Sequence, residues 1–201
     1  MQHLTTNAHT RALTGTLAAT ALLVFALGAC GSDPITPPPG PTATCTGRDC
    51  VCTATNNCLC TLDDDCNANC AIDGCTLVCD ATAKCNASGL GPITINCSDD
   101  SDCKGNGGSD SVITCTDTAK CDLKAGDDSS ARCDRFSDCK INIGIRGTVD
   151  CVDNATCDIK CDGACNVTCA STATCMVNCG VDDGGVAGQV CPDGRIVCGG
   201  C

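Results

Sequence analysis

Cysteines stand at positions 79, 97, 115, 133, 151 and 169, each 18 residues from the next, and a second series at 85, 103, 121, 139, 157 and 175 keeps the same step. The unit is Cys, five residues, Cys, eleven residues, held in register through six copies. A unit this short cannot bury an apolar face by itself, so it must stack on its neighbours. The residues between the cysteines alternate. Leu77, Ile95, Ile113, Ala131, Val149 and Val167 lie two before the first Cys, and Ala87, Gly105, Leu123, Ile141, Ile159 and Val177 two after the second. Asp, Lys, Asn, Thr and Ser fill most positions between them. Alternation with period two is a strand signature, and helical spacing is absent. The expected fold is all-β: a small disulfide-stapled β-solenoid of 18-residue coils, with little or no helix.

The spacing also constrains the bridges. Residues six apart on a straight strand are separated by about 20 Å. A disulfide needs Cα atoms within about 7 Å. Bridging inside Cys-x5-Cys therefore requires a tight corner, and the small residue at its fourth position (Ala83, Ser101, Ala119, Ser137, Ala155, Ala173) suits one. The expected bridges are Cys79–Cys85, Cys97–Cys103, Cys115–Cys121, Cys133–Cys139, Cys151–Cys157 and Cys169–Cys175. The same logic pairs Cys52 with Cys58, Cys60 with Cys66 and Cys45 with Cys50. The turn signals Asp73-Gly74 and Asp162-Gly163 favour Cys70–Cys75 and Cys161–Cys165. Cys179, Cys191, Cys198 and Cys201 remain for a C-terminal knot around Pro192-Asp193-Gly194. Two columns of charge give an independent sign of in-register stacking. Lys84, Asp102, Lys120 and Asp138 alternate five residues after the first Cys, and Lys104, Asp122, Lys140 and Asp158 alternate seven after it. Stacked coils would set each charge between opposite ones.

Composition explains why the staples are needed. Beyond residue 29 the chain has no His, Trp, Tyr or Glu, and Phe136 is its only aromatic residue. Leu, Ile, Val and Phe number 27 of those 172 residues, too few for an ordinary core. Cross-links replace it. All 24 acidic residues are Asp, and the net charge of −12 disfavours nucleic acid as a partner.

Export is written in the first residues. A polar stretch ending at Arg11 precedes the apolar run Ala12–Leu27, which at 16 residues is short for a membrane span of about 20. Leu27-Gly28-Ala29-Cys30 follows and resembles the lipobox of bacterial lipoproteins. The resemblance implies cleavage before Cys30 and lipidation of that cysteine. Setting Cys30 aside leaves 26 of the 27 cysteines, enough for 13 bridges in an oxidising compartment. The expected organisation is a signal peptide at 1–29, the lipidated Cys and a proline-rich tether at 30–44, a Cys-rich repeat at 45–179 and a knotted cap at 180–201. The Cys-x5-Cys repeat, as in Thr114-Cys115-Thr116-Asp117-Thr118-Ala119-Lys120-Cys121, is similar in spacing to the disulfide-stapled β-solenoids of insect antifreeze proteins. That family presents a regular Thr-Cys-Thr array. Here only the Cys115 unit keeps the Thr pair, so the resemblance implies the fold and not ice binding.

Thiolate zinc sites favour Cys-x2-Cys, which the sequence lacks. Calcium wants several oxygen ligands. Asp63, Asp64 and Asp65, Asp99, Asp100 and Asp102, and Asp127 and Asp128 are the candidates, with Asp182-Asp183 beyond them. Residues 105–113 (GNGGSDSVI) resemble one copy of the calcium-binding nonapeptide of β-roll proteins. The alternative for every Asp cluster is a solvated turn. A Ser or Cys triad has no His for its base, and no phosphate-binding Gly loop leads into a helix, so no enzymatic activity is expected. The leading expectation is a non-catalytic structural and interaction lipoprotein of the bacterial envelope, at the outer membrane. Its partners would be the membrane, through the anchor, and envelope proteins or polysaccharide. The rivals are a calcium-binding surface protein and a disulfide-rich inhibitor.

Overall fold

The computed structural model describes residues 43–48, 50–53, 56–61, 65–70, 74–180 and 185–201. Cys30, the lipobox, the tether as far as residue 42, and Asp63, Asp64, Asp182 and Asp183 lie outside them. The described chain is all β, a solenoid of about six turns with two sheets facing each other.

Sheet 1 runs β1 (Thr44–Thr46), β4 (Asp65–Cys70), β6 (Lys84–Gly89), β8 (Asp102–Asn106), β10 (Lys120–Ala125), β12 (Asp138–Ile143), β14 (Thr156–Cys161), β16 (Thr174–Cys179) and β17 (Val186–Ala187). Sheet 2 runs β2 (Cys50–Cys52), β3 (Asn57–Cys60), β5 (Cys75–Cys79), β7 (Ile93–Cys97), β9 (Val112–Cys115), β11 (Ser130–Cys133), β13 (Gly147–Cys151), β15 (Cys165–Cys169), β19 (Ile196–Cys198) and β18 (Gln189–Val190). From β3 to β16 every neighbouring pair within a sheet is parallel and shifted by one coil, so Cys115 lies beside Cys97 and Cys133, and Cys121 beside Cys103 and Cys139. The ladder continues through the corners. Lys120 N donates to Ser101 O at 2.8 Å and Asp138 N to Ala119 O at 3.0 Å. Whole coils are thus hydrogen-bonded to one another, as the buried backbone of a stack requires.

The interior is one file of residues per coil. Leu77, Ile95, Ile113 and Val149 from sheet 2, and Leu123, Ile141 and Ile159 from sheet 1, are at most 2% exposed. Where the interior is tightest only glycine fits: a Cβ added to Gly147 would meet Ile143 Cγ1 at 2.5 Å, as a close-packed interior requires.

The stack ends in antiparallel strands. β1 covers β4 and β2 covers β3 at the foot, while β17 covers β16 and β19 covers β15 at the head. All of these caps are two or three residues long. The parallel register therefore begins at β3, later than the expected repeat start at residue 45. Short antiparallel caps protect sheet edges that would otherwise template further strands.

Candidate functional site

Three features make up the molecule's chemistry: the stapled corner, the open corner opposite it, and the outer face of sheet 1.

At the stapled corner Cys79–Cys85, Cys97–Cys103, Cys115–Cys121, Cys133–Cys139, Cys151–Cys157 and Cys169–Cys175 form a ladder, with Cα separations of 6.2–6.6 Å. The fourth-position residues Ala83, Ser101, Ala119, Ser137 and Ala155 are wholly buried beneath it. The foot departs from the within-unit scheme. Cys60 stacks on Cys79 and Cys66 on Cys85, as the repeat requires, yet Cys66 pairs with Cys50 and neither 60–66 nor 45–50 is formed. The reason is the cap. β2 folds back antiparallel on β3 and sets Cys50 opposite Cys60, which brings a third cysteine onto the last rung. Cys52 lies with Cα 4.0 Å from Cys58 and 5.9 Å from Cys45, within reach of both, and a sulfur bonds one of them at a time.

The open corner carries a second, interrupted ladder. Cys70–Cys75 staples it near the foot and Cys161–Cys165 near the head. Cys179–Cys198 continues it, because Cys179 stacks on Cys161 and Cys198 on Cys165. Between them the chain uses Ser111 and Ser129, both buried. Ile93 N donates to Ser111 Oγ and Ser111 N to Ser129 Oγ, each at 3.0 Å. Gly108, Gly126 and Gly144 stack beside them. A Cβ on Gly126 would lie 2.6 Å from Ser109 N and 2.8 Å from Gly108 C. Gly108 thus serves coil-to-coil contact, a role that the unremarked 18-residue spacing of Gly108, Gly126 and Gly144 could have signalled. Cys191–Cys201 closes the C-terminal cap.

The aspartates divide among these features and do not converge on one centre. Asp99 and Asp100 sit at the stapled corner, Asp127 and Asp128 at the open one, and Asp65 and Asp102 on sheet 1. Several hold turns. Asp127 Oδ1 accepts from Ile145 N at 2.8 Å, and Thr118 Oγ1 donates to Asp100 Oδ1 at 2.5 Å. Arg146 Nε donates to Asp128 Oδ1 at 2.7 Å, and Arg135 pairs with Asp117 one coil below. These guanidiniums hold the Asp128 and Asp117 carboxyls below the usual range. Two carboxyl pairs, Asp80 with Asp99 and Asp134 with Asp153, recur three coils apart. In each the hydrogen bond between the carboxyls pushes the upper member, Asp99 or Asp153, up.

Sheet 1 turns three columns outward. In the first, Lys120 lies between Asp102 and Asp138. In the second, Asp122 lies between Lys104 and Lys140, and Lys140 also flanks Asp158. Both alternations match the sequence expectation. The third column was missed. It runs Asn69, Ser88, Asn106, Lys124, Asn142, Lys160 and Asn178. Asn142 Oδ1 is buried there without a hydrogen-bond partner among the described residues. Cavities of about 480 Å³ and 490 Å³ lie between the second and third columns, and one of about 260 Å³ between the first and second.

No protein-family model, no curated protein and no solved structure matches this chain.

Proposed function

We propose that the chain is a lipid-anchored, non-catalytic structural and interaction module of the bacterial cell envelope, serving adhesion or envelope organisation. One observation carries the reading. Disulfides and aliphatic side chains fill the interior of the stack, while the polar groups able to recognise a partner stand in registered columns on its outer faces. A scaffold of this kind resists deformation and presents an extended surface. The lipobox resemblance at Leu27-Gly28-Ala29-Cys30 supports the anchor, and the five prolines between residues 31 and 44 support an extended spacer. Cysteine density supports an exported, oxidising location.

Two measurements test the reading. Cys30→Ala should release the protein from the membrane fraction or block its processing; unchanged fractionation and mass would remove the anchor. Full-length protein used as bait in envelope extracts, with and without Ca²⁺, should retain a saturable envelope component. Retention that is equal on a disulfide-rich control protein would remove the interaction role. Retention that vanishes without Ca²⁺ would transfer the reading to the calcium-dependent rival.

A further inference from the structure

All six lysines of the chain project from the strands of sheet 1: Lys84, Lys104, Lys120, Lys124, Lys140 and Lys160. Those strands carry only five of the 24 aspartates, Asp65, Asp102, Asp122, Asp138 and Asp158. A chain of net charge −12 therefore keeps one face that is slightly cationic. The two larger cavities of this face are halves of one groove. The upper half is lined by Lys124, Lys140, Asn142, Lys160, Asn178 and Gly185 among others, the lower by Thr44, Asn67, Asn69, Asn86, Ser88 and Lys104. Their linings meet where Lys104 and Asn106 of β8 pair with Asp122 and Lys124 of β10. The groove runs across the strands, along the stack, between the second and third columns. Eight strands at about 4.8 Å give it a length of about 34 Å, and its walls, two residues apart on each strand, are about 7 Å apart.

We infer that this groove binds a linear acidic glycan, a uronate polymer laid along the stack with its carboxylates toward Lys104, Lys124, Lys140 and Lys160. The inference rests on the envelope-module reading and names the chemistry of its partner. Charge complementarity selects an anion, because the groove gathers four lysines against Asp122 and Asp158 in an otherwise acidic molecule. Hydrogen bonding selects a polyhydroxyl chain over a peptide. The groove crosses the strands, whose backbone groups are spent on the coil ladder. Strand addition, the usual way to hold an extended peptide, has no open edge along the groove from β6 to β14, where every strand is paired on both sides. What remains is a wall of side-chain amides, hydroxyls and ammonium groups. Asn142 adds an orphaned acceptor in the upper half, and rotating its amide toward a ligand hydroxyl relieves it. A periodic polymer also matches a periodic face: Lys124 and Lys160 stand two coils apart, separated by Asn142.

The test is titration of the full-length protein with polygalacturonate, its methyl ester and neutral dextran, at low and high salt. Polygalacturonate should bind. The methyl ester should bind at least about tenfold more weakly and dextran more weakly still, with the difference shrinking as salt screens the charges. Lys124→Ala with Lys160→Ala should cost at least about tenfold in affinity. Lys84→Ala with Lys120→Ala, in the first column and outside the groove, should cost less than about twofold in affinity when each variant is measured well below its own thermal midpoint. No binding of polygalacturonate, equal binding of its methyl ester, or equal losses from the two lysine pairs would each overturn the inference. An envelope component captured equally by wild type and the Lys124/Lys160 variant would overturn the groove while leaving the envelope reading in place.

Discussion

Positive φ angles recur with the repeat. Two residues after the first Cys, Ala81, Asp99, Asp117, Arg135 and Asp153 have φ between 54° and 61°, and at the open corner Asp110, Asp128 and Arg146 have φ between 57° and 61°. Asp and Asn tolerate this left-handed region better than most residues. The Asp clusters were legible in the sequence as turn residues or calcium ligands; Asp99 and Asp128 carry the positive φ, and the hydrogen bonds of Asp100 and Asp127 run to the next coil. What could not be read from spacing is how corners interact between coils. Asp153 meets Asp134 of the coil below, which pushes the Asp153 carboxyl up. A raised folded-state pKa means that ionisation of Asp153 costs stability above that value, and the cost disappears as pH falls through it. Asp153→Asn keeps a residue suited to positive φ and supplies an N–H donor to Asp134. It should raise the thermal midpoint at pH 7, with the advantage shrinking as pH falls toward about 4. A midpoint that is unchanged at pH 7, or an advantage that grows in acid, would contradict the pairing. Gly126→Ala tests the opposite corner, where the added Cβ would press on the Gly108–Ser109 backbone. The expected loss is about 1–3 kcal/mol in denaturant unfolding, against little change for Gly194→Ala beyond its own φ strain, since nothing lies within 4 Å of that site.

At the scale of strands and corners the repeat spacing carried most of the architecture. Parallel strands shifted by one coil follow from the 18-residue step, and the corner disulfides from the five-residue gap between cysteines. The charge columns followed too, because in-register stacking makes residues 18 apart into neighbours. The third column escaped notice for a physical reason: Asn106, Lys124, Asn142 and Lys160 alternate charge with neutrality, so no pairing rule singles them out. The register supplies a direct test. Lys120→Asp would set three carboxylates in a row with Asp102 and Asp138. The charges are exposed, and exposed pairs contribute a few tenths to about 1 kcal/mol each, so the expected cost is about 1–2 kcal/mol at low salt and less at high salt. Lys124→Asp, flanked by Asn106 and Asn142, should cost less and respond less to salt. Converting Asp102 and Asp138 to Lys in the Lys120→Asp background should restore much of the loss, offset in part by the new neighbour Lys84. Equal, salt-independent losses from the two lysine variants would mean the columns carry no energy.

For the whole molecule the decisive structures are the ends, and these were least legible. Inside the repeat each residue's neighbours lie 18 positions away, so one unit predicts the next. At the foot and head the chain leaves that rule, turns back, and pairs antiparallel over β3, β4, β15 and β16. Nothing in the spacing of Cys45, Cys50 and Cys52 announces that reversal, which is why the expected 45–50 and 60–66 bridges gave way to Cys50–Cys66. The caps matter because a stack of identical coils has ends that fit further coils. Removing residues 181–201, with Cys179→Ser to replace the cysteine that loses Cys198, uncovers β15 and β16 while β1 and β2 still cover the foot. A head so exposed can pair only with another head, and a contact between two identical surfaces closes as a two-fold dimer. Antiparallel pairing is open to it, since β15 already accepts β19 that way. The truncated protein should therefore dimerise with concentration in sedimentation velocity and stop at the dimer, while the full chain stays monomeric. Deleting the foot strands as well should leave two open ends and produce longer assemblies. Peptide mapping that still joins Cys115 to Cys121 would establish that the truncated stack has folded. With that established, a monomer at every concentration would show that the caps do not guard the edges, and open-ended polymers from the head truncation alone would show that β1 and β2 leave the foot uncovered.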